Sequence, residues 1–331
     1  MSLLKKMQIT IAEARTLAAS VLEHCPLSER DRVEITNHLL RAEVRGHSTH
    51  GLTQLPSIVS SLAQSSADAQ RELVKDAPGF VFLDGKKTQG IAAVADLLRL
   101  AASRVAESGA VVAAVSDFVG TTGCLGVYGA ELAEKSLSAI QFCHSEYGVA
   151  PYGAAQAILG TNPIAFSMPG SAFSFVADVA TSAWSYGALK EAMDAGRRIP
   201  KGIVQTADGK PSTDPHGAGS QLPMAGHKGY ALGLAIELFC GPLLGGKAGH
   251  TAVPGSLSYI AVVINTGSVR PVRQVVHEAD QLFSEILGAP LAEGFKQVRI
   301  PGERACELEK STTSISITKD LFAKLSSLGG R

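Results

Sequence analysis

The spacing of apolar residues changes character near residue 70, and that change restricts the chain more than any other feature. Up to about residue 65, apolar positions recur at helical intervals, as at Val33, Ile35, Leu39 and Leu40 before Gly46. Thr10 with Glu13 and Ser28 with Asp31 read as helix starts of the capping-box kind, and a third helix is expected from near Thr53 to Leu62. From Glu72 onward short apolar runs take over. Phe80 to Leu83, Ala110 to Val115, Ser138 to Phe142, Ile164 to Ser167, Phe173 to Ala177 and Tyr259 to Ile264 read as strands. Helices are expected between and after them, at 90–107, 126–136, 183–195, 228–240 and 272–287. Residues 196–227, with Asp208-Gly209-Lys210-Pro211 and Asp214-Pro215, read as ordered turns, and helical spacing returns after Pro301-Gly302. The alternation predicts an α/β chain in three parts: a helical segment at 1–75, a sheet domain at 76–275, and C-terminal helices at 276–331 packing back on the N-terminal ones.

Composition sets outer limits. The 331 residues carry 30 Lys plus Arg against 30 Asp plus Glu, a formal net charge of zero. A nucleic-acid binder needs surplus cations to displace counterions from phosphates, so neutrality without a basic stripe argues against one. A basic membrane-surface helix is missing too. The most apolar window, Tyr230 to Gly246, is broken by Glu237 and Gly241-Pro242, whereas a membrane span needs about 20 uninterrupted residues. The start, Met1-Ser2-Leu3-Leu4-Lys5-Lys6, lacks the apolar core of a secretory signal. Five cysteines (Cys25, Cys124, Cys143, Cys240, Cys306) form no Cys-x-x-Cys pair and read as reduced core residues of a cytoplasmic protein.

The densest cluster of reactive groups is Arg45-Gly46-His47-Ser48-Thr49-His50-Gly51, where one helix stops and another is about to start. A histidine suits proton transfer near neutral pH, and a neighbouring hydroxyl can fix its tautomer. Arg45 suits a planar, bidentate hold on a carboxylate. The same residues also read as an ordinary helix end, with Gly terminating it and His and Arg offsetting the dipole. His47 and His50 lack cysteine or carboxylate ligands at suitable spacing, so no metal is expected.

Gly120-Thr121-Thr122-Gly123-Cys124-Leu125-Gly126 follows a strand and opens a helix, but its spacing is not Gly-x-Gly-x-x-Gly and no acidic residue follows about 20 positions on. Its amides are still placed to take an anionic pyrophosphate, or its glycines simply permit close packing. Leu159-Gly160-Thr161-Asn162-Pro163, Asp178-Val179-Ala180-Thr181-Ser182 and Gly226-His227-Lys228-Gly229 each join a loop to a regular element. Lys228, at an expected helix start, is disfavoured by the dipole unless an anion sits beside it. Asp178 is expected to cap the helix beginning near Ala183.

In this order and over nearly the whole chain, these segments, with Thr213-Asp214-Pro215 and Ile300-Pro301-Gly302-Glu303, resemble the type-2 malate/L-lactate dehydrogenase family. That family also contains ureidoglycolate and sulfolactate dehydrogenases and the Δ1-piperideine-2-carboxylate/Δ1-pyrroline-2-carboxylate reductases. The resemblance implies an α/β (α+β-like) fold, with a non-Rossmann NAD(P)-binding domain of largely antiparallel sheet plus a helical domain, in a homodimer. It implies an oxidoreductase passing hydride between NAD or NADP and C2 of a small 2-oxo or 2-hydroxy acid. His50 is then the acid/base and Thr49 its orienting neighbour, with Arg45, His47, Gln54 and Lys228 around the carboxylate substrate. The cofactor is expected at Gly120, Thr121, Thr122, Gly123, Cys124, Thr161, Asp178, Val179, Ala180, His227, Lys228, Arg299, Pro301, Gly302, Glu303 and Arg304.

Departures from the family bear on substrate. Thr49 stands where many members have Ser, Gln54 where a carboxylate-binding Arg is frequent, Phe118 where a His-Phe-Gly turn begins, and Ala188 where the imine reductases carry Asp. A cyclic 2-imino acid therefore stands as a second substrate class, and a non-catalytic nucleotide or metabolite binder as a rival of another kind. Arg299 and Arg304 suit a 2′-phosphate and Glu303 a free ribose, so the expectation leans to NADH.

Overall fold

The computed structural model describes residues 6–63, 65, 69–252 and 256–330. Residues 1–5, read above for a secretory signal, lie outside them. The chain opens with β1 (Lys6–Thr10), α1 (Ile11–Glu23) and α2 (Glu29–Val44). Thr10 and Glu13 form the complete capping box of α1. Ser28 accepts the Asp31 amide at 3.1 Å to start α2, but the Asp31 carboxylate turns to Arg71 instead of closing a box. Two 3-10 turns, Ser48–His50 and Leu52–Gln54, lead into α3 (Leu55–Leu62).

The middle of the chain is β2 (Glu72–Ala77), β3 (Phe80–Asp84), α4 (Gly90–Ser108), β4 (Ala110–Phe118), α5 (Leu125–Glu134), β5 (Leu137–Cys143), β6 (Ile164–Met168), β7 (Phe175–Val179) and α6 (Tyr186–Asp194). Then come β8 (Val204–Gln205), β9 (Pro211–Ser212), β10 (Ser220–Gln221), α7 (His227–Cys240), β11 (Leu257–Asn265), α8 (Thr266–Val269) and α9 (Val272–Leu287). The chain closes with α10 (Glu303–Ser311), β12 (Ser314–Thr318) and α11 (Lys319–Leu328).

Seven strands form the main sheet in the order β2-β3-β4-β11-β5-β6-β7. Only β3 and β4 run parallel, joined through α4; every other neighbouring pair is antiparallel. Strand and helix alternate along the chain, yet this is a mostly antiparallel sheet, as the resemblance implied. The reason is β11, which enters between β4 and β5 from far along the chain and opposes both. Alternation reveals that strands exist, not which strand lies beside which.

Alternation along β4 divides two cores. Val111, Ala113 and Val115 face α4 and α5, packing with Leu97, Tyr128 and Leu132, while Ala114 and Ile260 meet Ile236 and Cys240 of α7 on the other face. A further core joins α1, α2, α3 and α11 to Ile9 of β1 and Ile315 and Ile317 of β12.

The strand pair β1–β12, with Lys6 opposite Thr318, had no counterpart in the sequence reading, because five-residue partners about 300 positions apart leave no local signal. β7 begins two residues later than expected, where Phe175 pairs with Met168. α6 begins at Tyr186 because Ser185 accepts the Ala188 amide at 3.2 Å. Residues 196–227 hold a small sheet, β10-β8-β9, whose two-residue strands are too short to show a period. All five cysteines are unpaired, and no helix among the described residues is long and apolar enough to cross a membrane.

Candidate active site

α2 ends in a Schellman motif. Gly46 takes φ +84°, the His47 amide reaches Ala42 O at 2.8 Å, and the Gly46 amide reaches Glu43 O at 2.9 Å. The helix-end reading of this segment is therefore right, and the same end delivers the reactive cluster. The following 3-10 turn leaves His50 half-buried, with Nδ1 3.1 Å from Thr49 Oγ1. Burial holds the His50 imidazole below the usual histidine range, and the negative charge of Asp178 opposes that shift. His47 is lowered by burial too, again against Asp178.

Three contacts shape this turn. Gln54 Nε2 donates to Thr49 O at 2.6 Å, so the residue expected beside the substrate braces the turn. Gly187 of α6 abuts Thr49: a Cβ there would stand 2.5 Å from Thr49 Cβ. Glu43, on the buried face of α2, accepts the Leu52 amide at 2.8 Å. Ala188, next to Gly187, is half-buried beside the same turn, whereas Phe118 is fully buried in the sheet core against Gly90.

Asp178 caps a different helix from the one expected. Its Oδ2 accepts the Gly126 amide at 2.7 Å at the start of α5, and α6 is capped by Ser185. The Cys124 amide donates to His38 Nε2 at 2.8 Å. Two of the amides that the sequence reading offered to a pyrophosphate, those of Cys124 and Gly126, are thus already satisfied by side chains. The rest of the loop is similarly engaged: Thr121 Oγ1 accepts the Gly123 amide, Thr122 O accepts Tyr128 OH, and Gly120 and Gly123 take φ +74° and +88°. Gly123 has no alternative residue here, as a Cβ would lie 2.3 Å from His38 Nε2.

A cleft of about 240 Å³ brings together Arg45, Gly46, His47, Gly126, Val176, Asp178, Gly302 and Arg304, with Ala305 and Leu308. Four segments distant in sequence meet there: the end of α2, the start of α5, the end of β7 and the start of α10. Pro301 O accepts the Val176 amide at 3.1 Å, which fixes α10 against β7. Arg45 is 6% exposed and its guanidinium is held by Glu309, so it does not stand free to take a substrate carboxylate. Its Nε, buried and without an acceptor among the described residues, remains unused. Arg299 pairs with Glu307 at 2.9 Å, and Glu303 turns its carboxylate onto the Ile300 amide at 3.3 Å. Arg304 has no ion-pair partner among the described residues.

A second cluster adjoins the cleft through Asp178, Val179 and Ala180. Thr161 O accepts the Thr181 amide at 2.9 Å, and Thr181 O accepts the Met224 amide at 2.9 Å, which draws in the loop before His227 and Lys228. Both are exposed, and Lys228 stands in the first turn of α7, where the sequence placed a helix start. Among the described residues no group of three or more His, Cys, Asp or Glu is set to hold a metal.

A family model described as malate/L-lactate dehydrogenase matches residues 9–326. The chain belongs to the malate/L-lactate dehydrogenase family. It is 28% identical to a malate/(S)-sulfolactate dehydrogenase of Methanothermus fervidus, over 96% of each chain. It is 32% identical to a Δ1-pyrroline-2-carboxylate reductase of Ancylobacter novellus, over 98% of each. Among solved structures, the sulfolactate dehydrogenase of Methanocaldococcus jannaschii superposes with a TM-score of 0.89 at 28% identity, covering 98% of this chain and 97% of that one. As a member of this family the chain is an oxidoreductase.

His38, Glu43, Gly187 and Glu309 were absent from the sequence reading of the site. His38 and Glu43 carried a signal: both are ionisable yet fall on the apolar face of α2 set by Ile35, Leu39 and Leu40. Gly187 and Glu309 had none, because their partners lie on other elements.

Proposed function

We propose that this family member transfers hydride between NAD or NADP and C2 of a small 2-oxo or 2-hydroxy acid, with His50 as acid/base. The observation that carries this reading is the His50 turn: Thr49 Oγ1 engages Nδ1, and Nε2 has no partner among the described residues. The shifted imidazole is neutral at neutral pH and so suited to accept a hydroxyl proton in oxidation; in reduction its protonated form returns that proton to the carbonyl oxygen. Nicotinamide, when bound, supplies or accepts the hydride.

The cleft carries groups suited to one part of a dinucleotide. Among the described residues Asp178 uses only Oδ2 and Arg304 has no ion-pair partner, offering one acceptor and one cationic donor to ribose and phosphate. Gly302, where α10 meets β7, lines the same cleft. Lys228, exposed and outside any ion pair among the described residues, is assigned to the substrate carboxylate in place of Arg45. Arg299 is engaged by Glu307, which supports NADH over NADPH. The cofactor domain in this reading is the non-Rossmann sheet at 76–275, flanked by the catalytic helical segment at 1–75 and C-terminal helices at 276–331, in a cytoplasmic homodimer. Exposed Leu282, Ile286 and Leu287 on α9 supply apolar surface for self-association.

Reduction of a cyclic 2-imino acid is the second reading, supported by the 32% identity to the pyrroline-2-carboxylate reductase and opposed by Ala188. Following nucleotide absorbance with NADH and NADPH across 2-oxo acids and cyclic imines separates the two. His50→Asn is expected to lower turnover by roughly 10² to 10⁴ on the accepted substrate; unchanged turnover removes His50 from the chemistry. Nucleotide binding without oxidation across the panel favours a non-catalytic role.

A further inference from the structure

Glu43 occupies an unfavourable place for a carboxylate. It is 8% exposed on the buried face of α2, and its Oε1 accepts the Leu52 amide at 2.8 Å. The backbone above it comes so close that a Cβ on Gly51 would stand 2.2 Å from Oε1 and 2.4 Å from Cγ. The His50 amide returns to His47 O and the Gly51 amide to Ser48 O, so these bonds shape the turn without fastening it to the helix. Beyond His47, the Leu52 amide is the backbone donor that ties the loop to α2. The Leu52 side chain, fully buried in the helical core, anchors the same residue.

We propose that Glu43 is a positioning residue for His50: its carboxylate grips the Leu52 amide and sets the height and tilt of the 3-10 turn that presents the imidazole. This rests on the reading of His50 as the acid/base. Misplacing a reacting group by about 1 Å costs on the order of 10²-fold in rate, whereas most of the cleft, walled by α5, β7 and α10, stands apart from the Leu52 amide. Loss of the grip therefore acts on kcat and leaves the nucleotide KM near its parental value.

The test compares Glu43→Ala with Glu43→Gln, whose amide oxygen can accept the same N–H. Glu43→Ala is expected to lower kcat about 10- to 100-fold, with Glu43→Gln restoring it to within about 3-fold of the parent. The ring resonances of His50, assigned with His50→Asn, are followed by NMR in each variant. They are expected to shift and broaden in Glu43→Ala and to hold their parental positions in Glu43→Gln. A folded Glu43→Ala with parental kcat and unmoved His50 signals overturns the proposal, as does a Glu43→Gln variant as impaired as Glu43→Ala. If Glu43→Ala fails to fold, Gly51→Ala, which displaces the carboxylate by contact, is read by the same two measurements. An active His50→Asn enzyme would defeat the acid/base role alone, because the NMR readout still reports whether Glu43 holds the turn.

Discussion

Asp178, at the end of β7, accepts the Gly126 amide at 2.7 Å, so the carboxylate whose charge bears on His47 and His50 also closes the start of α5. Gly126 allows this approach, since a Cβ there would lie 3.2 Å from Asp178 Oδ2. One side chain thereby couples helix position to the protonation of the proposed acid/base.

Asp178→Asn keeps an acceptor for Gly126 and removes the charge. Burial lowers the His50 pKa and Asp178 raises it, so the variant lowers it further. Reduction needs protonated His50, and its kcat/KM should fall off at a lower pH than in the parent. A pH profile that does not move would show that Asp178 lies outside the electrostatic reach of His50.

His38 makes folding sensitive to acid. It is buried, accepts the Cys124 amide on Nε2 and packs 4.4 Å from the Tyr128 ring, and burial pushes its pKa down to about 3. A folded pKa below the unfolded value near 6.5 gives stability that is full above that value and is lost as pH falls toward 3. The loss should be on the order of 5 kcal/mol. Urea unfolding of His38→Gln across this window should give a visibly flatter curve; an identical slope would assign the acid sensitivity elsewhere.

Gly302 holds φ +98°, and a Cβ there would stand 2.5 Å from Ser174 O and 2.8 Å from the Val176 amide nitrogen. Those neighbours are backbone and cannot rotate away. Gly302→Ala is expected to cost about 2–3 kcal/mol and to raise the nucleotide KM several-fold by parting α10 from β7. Thermal melts and nucleotide titration check the two effects, and parental values in both would show that the junction tolerates a side chain.

The Arg45–Glu309 pair is buried on the arginine side, and Glu309 also accepts Arg41 Nε at 2.8 Å. Glu309→Ala leaves Arg45 without its counter-charge and should destabilise the fold by about 2–3 kcal/mol. Glu307→Ala, which frees the exposed Arg299, should cause no measurable change in the same chemical denaturation. Equal losses in both variants would mean that burial of Arg45 is not what gives its pair value.

Much of this protein is local information. Gly46, Thr10 and Ser28 mark helix ends by chemistry that acts within a few residues, and the period of apolar side chains distinguishes α2 or α4 from β4 or β5. The cluster from Arg45 to Gly51 and the glycine loop at 120–126 are likewise visible as reactive or flexible stretches. Partnership is not local. That β11 divides β4 from β5, that Asp178 caps α5 while Ser185 caps α6, and that Glu309 takes up Arg45 all depend on which buried surfaces meet, and one hydrogen bond or ion pair then decides a residue's role. Gln54 and Lys228 illustrate the difference: each was visible as a polar residue near reactive neighbours, but only packing turned the Gln54 amide onto Thr49 O and left the Lys228 ammonium exposed. The sequence by itself determined the long helices, most strands of the main sheet and the reactive groups they carry; the tertiary structure decided which of those groups are consumed holding the fold together and which stay free for chemistry, because a buried polar group must find a partner wherever the chain brings one.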